Sequence, residues 1–294
     1  MKKHPLVLGL LLVAVSLPSI AMVTDMPSAA KAHGQEKPKI HVHEDVVYGR
    51  VQGAGLLCDV AYPEGKGPFP VILSVHGGRW FRESKTTHSA IKVRQWAEFG
   101  YVAMSIDYRL IGGAPAPACY QDALCAIRFL HANPHKYPID SNRIFLIGQS
   151  AGGHLVSLAA TLGDGPFKRT GGWEDQPHGF RGVICVASPY ELTKLDWGSG
   201  WTPLGEDPVA ARQLASPIHH VTGKMKPILV IHSDDDKSVP IKQALDMVDV
   251  LKKVKVQHRF VRYQDKGHIS ITEDVIRETR RFMDEIGADS AGKK

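Results

Sequence analysis

Gly148-Gln149-Ser150-Ala151-Gly152 directly follows an apolar run at residues 144–147 and leads into Gly153-His154-Leu155, where apolar residues recur at helical spacing. A serine in a tight turn between a buried strand and a helix is pushed above the end of a sheet. The flanking glycines let the backbone cross at an angle that a Cβ would block. The helix starting there also directs its first amide groups toward any negative charge that develops at the serine. The pentapeptide alone occurs by chance and can be a plain glycine-rich connection. Placed between strand and helix, it ties the chain to an α/β architecture and marks Ser150 as a nucleophile.

The rest of the hydrophobic pattern agrees. Val46-Val47-Tyr48 and residues 56–62 read as an antiparallel pair separated by Gly53 and Gly55. Residues 70–75 are a continuous apolar run of the kind found in buried strands. A helical pattern through Ile91, Val93, Trp96, Ala97 and Phe99 stops at Gly100. Strands are then expected over 101–106, 143–148, 182–187, 227–232 and 256–263, and helices over 120–131, 152–162, 241–254 and 271–286. An antiparallel start followed by this alternation implies one mainly parallel central sheet with helices on both faces. The longest irregular stretch runs from Ser188 to about Pro208 and contains Trp197 and Trp201. Long loops in compact domains usually serve function.

The N-terminus reads differently. Met1-Lys2-Lys3-His4 precedes an apolar stretch over 6–17 and then Pro18-Ser19-Ile20-Ala21, the layout of a secretory signal cut after Ala21. Ala30-Lys31-Ala32 offers a second cut site, and an uncleaved anchor is the competing reading, although the stretch ends too early to span comfortably. Residues 22–40 are rich in Ala, Lys, Pro and Gln without hydrophobic period and read as a tether. Secretion or a periplasmic location follows, with no stable membrane insertion once the signal is gone. The net charge of +6 over 294 residues falls to about +4 without Lys2 and Lys3. No stretch concentrates basic and aromatic residues, so a nucleic-acid partner is not expected. Cys58, Cys119, Cys125 and Cys185 lie in apolar contexts and read as buried thiols rather than a disulfide framework. His41 and His43 could share a metal ion, but no third ligand follows at matching spacing, so no metal is expected.

A serine nucleophile needs a base, an acid and donors for the oxyanion. His76-Gly77-Gly78-Arg79-Trp80 follows the strand at 70–75 and suits the oxyanion turn, with Ala151 N–H as the partner donor. The acid belongs after the strand at 227–232, where Asp234, Asp235 and Asp236 stand in a row and local physics does not choose among them. The base belongs after the last strand, where Gly267-His268 fits.

From about Pro68 to Ile286 the chain resembles the α/β-hydrolase superfamily. The likeness is to its secreted esterase/lipase-like branch, related to hormone-sensitive lipase and similar to bacterial acetylxylan and feruloyl esterase-type proteins. The likeness rests on His76-Gly77-Gly78, Asp107-Tyr108-Arg109-Leu110, the run from Ser150 to Leu155, Ala215-Ser216-Pro217, and His232 with Asp236, Val239 and Pro240. It implies an α/β-hydrolase domain over 41–294 and a serine carboxylesterase needing no cofactor. Ser150, Asp236 and His268 would be the triad, in the order that architecture uses. Gly78, Arg79 and Ala151 would supply the oxyanion donors, while His76 comes too early for the base and shapes its loop. Two positions depart from the pattern: Arg79 stands where a third glycine is usual, and Lys237 where proline is frequent. Arg79 either projects a cation beside the cleft or folds back on an acid such as Glu83. Trp80, Tyr190, Trp197 and Trp201 could wall the acyl or sugar group. The substrate implied is a small-molecule or polysaccharide-linked ester. Three alternatives compete with this reading. A peptidase of prolyl-oligopeptidase type normally carries a propeller, an arylformamidase would not carry an export signal, and an inactive binding relative would have lost its nucleophile.

Overall fold

Apolar side chains on both sides of the inner strands decide the architecture. In the strand Phe69–Val75 (β3), every residue from Val71 onward is buried. Val71, Leu73 and Val75 enter one core while Ile72 enters another. The same division occurs in Ile139–Gln149 (β5), Gly182–Val186 (β6) and Ile228–Ser233 (β7), as expected of strands covered on both faces. The computed structural model describes residues 38–288. The signal expected over 1–21, and the tether as far as residue 37, lie outside them.

Four more strands complete the sheet: Ile40–Val51 (β1), Ala54–Pro63 (β2), Val102–Ile106 (β4) and His258–Tyr263 (β8). The eight run in the order β1-β2-β4-β3-β5-β6-β7-β8. The pairs β1–β2 and β2–β4 are antiparallel, and every later pair is parallel. β1 begins well before the expected 46–48, because irregular pairing after His43 and after Val47 lets this edge strand continue. Helices Ala118–Ala132 (α2), Ala151–Thr161 (α3) and Lys242–Lys253 (α5) bury Leu124, Leu155 and Met247 against one face. Val93–Glu98 (α1) and Glu273–Ala288 (α6) cover the other with Trp96, Ile276 and Phe282. Each such side chain contributes about 1.5–3 kcal/mol by leaving water.

The stretch expected to be irregular from Ser188 contains two short 3-10 turns, Leu192–Lys194 and Asp196–Gly200. It ends in a helix, Pro208–Leu214 (α4), whose start Asp207 caps by accepting the N–H groups of Val209 and Ala210. All four cysteines are buried and unpaired. Burial pushes the Cys125 and Cys185 thiols up to about 12, so neither supplies a thiolate at neutral pH. His41 and His43 stack on Tyr62, and the described residues hold no metal-binding cluster of three or more. No helix among them is long and apolar enough to cross a membrane.

Candidate active site

Because β3, β5, β6, β7 and β8 are parallel, the loops leaving their carboxyl ends gather at one edge, the usual position for a site in such sheets. Ser150 lies between β5 and α3 with φ 53° and ψ −117°, a strained conformation that costs on the order of 1–3 kcal/mol. The surroundings enforce it. Ser150 N–H donates to Val186 O at 2.8 Å. A Cβ on Gly152 would collide with the carbonyl oxygens of Val75 and His76, so the elbow sits directly on the end of β3. Ala151 is the first residue of α3, and its N–H is among those that a helix start leaves without an intrahelical acceptor.

The turn after β3 lies against the same serine: a Cβ on Gly77 would come 3.4 Å from Ser150 Cβ. Gly77 N–H donates to Ser89 Oγ at 2.9 Å, and Ser89 Oγ donates to Glu83 Oε2. That N–H is therefore occupied, which leaves Gly78 and Arg79 as the expected donors of this turn. Tyr108 Oη donates to Gly77 O at 2.8 Å, and its ring stacks on His76 at 4.1 Å. His76 is buried and binds Gly77 O through Nδ1 at 3.0 Å. Burial lowers its pKa and keeps it neutral, as suits a residue that shapes the loop. Gly78, Arg79 and Trp80 have φ of 87°, 56° and 62° in succession. Such a conformation is ordinary for glycine and an outlier for a bulky residue.

Of the three consecutive aspartates, only Asp236 meets the histidine. His268 Nδ1 donates to Asp236 Oδ2 at 2.8 Å, while Oδ1 accepts the N–H groups of Ser238 and Val239 at 2.8 and 2.9 Å. His232 Nε2 stands 3.4 Å from Oδ2. Burial works to raise the Asp236 carboxyl. Hydrogen bonds from His232, His268 and Val239 outweigh it and hold the group well below the ordinary carboxylate range. The His268 side chain remains 29% exposed, so a substrate can approach it. Gln149 Nε2 donates to Ile269 O at 3.1 Å, tying the Ser150 elbow to the His268 loop.

The expected aromatic wall is different in form. Trp80, Tyr190 and Trp201 are completely buried, so they form core behind the site rather than an open wall. Trp80 packs edge-on to Trp201 and His154, and Tyr190 is held inside where its backbone N–H meets Gln243 Oε1. Trp197 alone of the four reaches the surface.

Several supporting contacts were not expected from the sequence. Asp235 Oδ1 accepts Ser233 Oγ at 2.7 Å and Gly267 N–H at 2.8 Å, while Ser233 Oγ accepts Lys266 N–H at 2.9 Å. These bonds fix the loop that carries His268. Ser89 braces the turn after β3 from within a polar segment that carries no motif, and Glu83, expected as a possible partner of Arg79, accepts from Ser89 instead.

The BD-FAE family model matches residues 58–251. Esterase LipC of Mycobacterium tuberculosis is 30% identical over 219 residues, covering 68% of this chain and 53% of LipC. The chain spans about half the length of the curated relatives it matches. Among solved structures, a truncated carbohydrate esterase from gut microbiota superposes with a TM-score of 0.76 at 23% identity, over 86% of this chain and 98% of that one. The acetyl ester-xyloside bifunctional hydrolase from Caldicellulosiruptor lactoaceticus gives 0.67 at 24% identity, over 79% and 89%. These similarities establish the α/β-hydrolase fold.

Proposed function

The chain belongs to the BD-FAE family, and on that basis we propose that it is a serine carboxylesterase using Ser150, His268 and Asp236. The observation that carries this reading is the strained Ser150 elbow set in the same loop cluster as the buried Asp236 and its partner, the exposed His268. Asp236 holds the Nδ1 proton of His268, leaving Nε2 free to accept the proton of Ser150 Oγ as that oxygen attacks the ester carbonyl. The tetrahedral oxyanion takes hydrogen bonds from the N–H groups of Gly78, Arg79 and Ala151. When the intermediate collapses, the C–O bond to the alcohol breaks and His268 returns its proton to the leaving oxygen. Water then attacks the acyl-serine with His268 as base, and the acid departs.

Acylated polysaccharide is the substrate class favoured here, supported by the carbohydrate esterases among the structural neighbours. The signal-like pattern over residues 1–21 supports a location outside the cytoplasm, where such polymers lie. The test compares wild type with Ser150→Ala on nitrophenyl acetate, acetylated xylan and methyl ferulate. Wild type is expected to turn over at least the acetate, and Ser150→Ala to lose about four or more orders of magnitude in kcat. Retention of more than about a tenth of the activity would remove Ser150 from the mechanism.

A further inference from the structure

Arg79 and Lys237 are both exposed cations, one in the turn after β3 and the other in the loop that carries Asp236. Arg79 is exposed, with its guanidinium carbon 5.6 Å from the centre of the Trp197 ring. Trp197 Nε1 donates at 2.9 Å to the carbonyl of Ser238, the residue that follows Lys237. The same indole packs on Trp80 at 5.0 Å. Trp197 therefore bridges the oxyanion turn and the Asp236 loop, and a cation adjoins each of its attachments.

Neither cation is neutralised locally. Glu83, the acid that could have drawn Arg79 back, instead accepts from Ser89 and Thr87. Asp234 pairs with Arg262, and Asp235 accepts from Ser233 and Gly267. Asp196 precedes Trp197 in the chain, but among the described residues it forms no ion pair with either cation. Arg79 also occupies a left-handed backbone position, φ 56°, where glycine is favoured. A side chain is thus kept where the backbone disfavours one. At 5.6 Å from the indole centre the guanidinium is within cation–π reach, and among the described residues no hydrogen bond or ion pair occupies its N–H groups, which can meet a planar anion.

Building on the esterase reading, we propose that Arg79, steadied by Trp197, and Lys237 recognise a carboxylate carried by the substrate close to the scissile ester. That carboxylate has two chemical sources: a uronic acid on the alcohol side, or the far end of a dicarboxylic acyl group. The experiment separates them with two matched pairs, O-acetylated methyl glucuronoside against O-acetylated methyl glucoside, and nitrophenyl hemisuccinate against nitrophenyl butyrate. Wild type should favour the anionic member of one pair in kcat/KM, and that pair names the source. Arg79→Gln and Lys237→Gln should each lower the anionic-to-neutral ratio about fivefold, chiefly through KM, and added salt should compress the ratio in wild type. Lys237 sits on an exposed loop, so its substitution tests the idea even where the Arg79 variant folds poorly. A ratio near one for both pairs, or a preference that survives the double substitution, overturns the inference while leaving the esterase reading intact. Failure of wild type to hydrolyse any of the four esters removes both.

Discussion

Asp236→Asn changes one atom and should abolish most of the activity, because of how the two carboxylate oxygens are used. Oδ1 receives two backbone N–H groups, from Ser238 and Val239, and Oδ2 receives His268 Nδ1. An asparagine has one oxygen for both tasks. With that oxygen on Ser238 and Val239, its NH2 group donates to His268 Nδ1. The ring proton then moves to Nε2, and the imidazole cannot accept a proton from Ser150. The opposite orientation restores the active tautomer but turns NH2 against two backbone donors, Val239 N–H buried and Ser238 N–H half-buried, at up to about 1–3 kcal/mol for each one orphaned. The inactive arrangement is therefore favoured by roughly 2–6 kcal/mol, and activity should fall by between about thirtyfold and about twenty-thousandfold. The assay is kcat/KM on nitrophenyl acetate at neutral pH, beside Asp234→Asn and Asp235→Asn. Asp234 is engaged in an ion pair with Arg262, and its change should have little effect. At position 235 an amide oxygen can still accept from Ser233 and Gly267, so the loss should stay below about tenfold. Equal losses at all three positions, or more than about a tenth of the activity left in Asp236→Asn, would refute the assignment of the acid.

Acid should weaken the fold through His154, which is fully buried and whose pKa burial lowers to about 4 despite its bond to Ala215 O. The unfolded chain binds this proton near pH 6.5, so stability should decline as pH falls from about 6.5 to about 4, by about 3 kcal/mol in all. His154→Gln should flatten that slope in urea titrations, and an unchanged slope would assign it to other groups. Asp236 acts lower on the scale. Its depressed carboxyl lends stability above the unfolded value of about 3.9 and loses it as pH falls further, a component absent from Asp236→Asn. Gly152→Ala should destabilise by about 3 kcal/mol, because its Cβ meets the rigid backbone of Val75 and His76. Gly179→Ala, with open space around it, should change stability by less than about 0.5 kcal/mol in the same denaturation assay.

The central strands were legible because a parallel strand covered on both faces needs an unbroken apolar run, and residues 144–147 and 228–231 supply one. β1 was read short because its polar residues lie on an exposed sheet edge, where the hydrophobic pattern carries little information. The helix α4 was missed although Asp207-Pro208 is a sound start signal, because few of its residues are buried. At the candidate site, the turns that carry Ser150 and His268 are legible from the glycines that mark them. Local pattern left Asp236 undetermined, since the choice among three aspartates depends on contact with His268 across 32 residues. The aromatic residues were harder still. A tryptophan in a loop has the same letter whether it faces substrate or core, and only the packing among Trp80, Trp201 and His154 separates the two.

Labelling of the folded chain with a fluorophosphonate, located by peptide mass spectrometry, reads out whether Ser150 is the nucleophile. One adduct per chain is expected, on Ser150, lost on prior unfolding in urea and strongly slowed in Asp236→Asn. An adduct on any other residue, or no adduct on folded protein, would contradict that role.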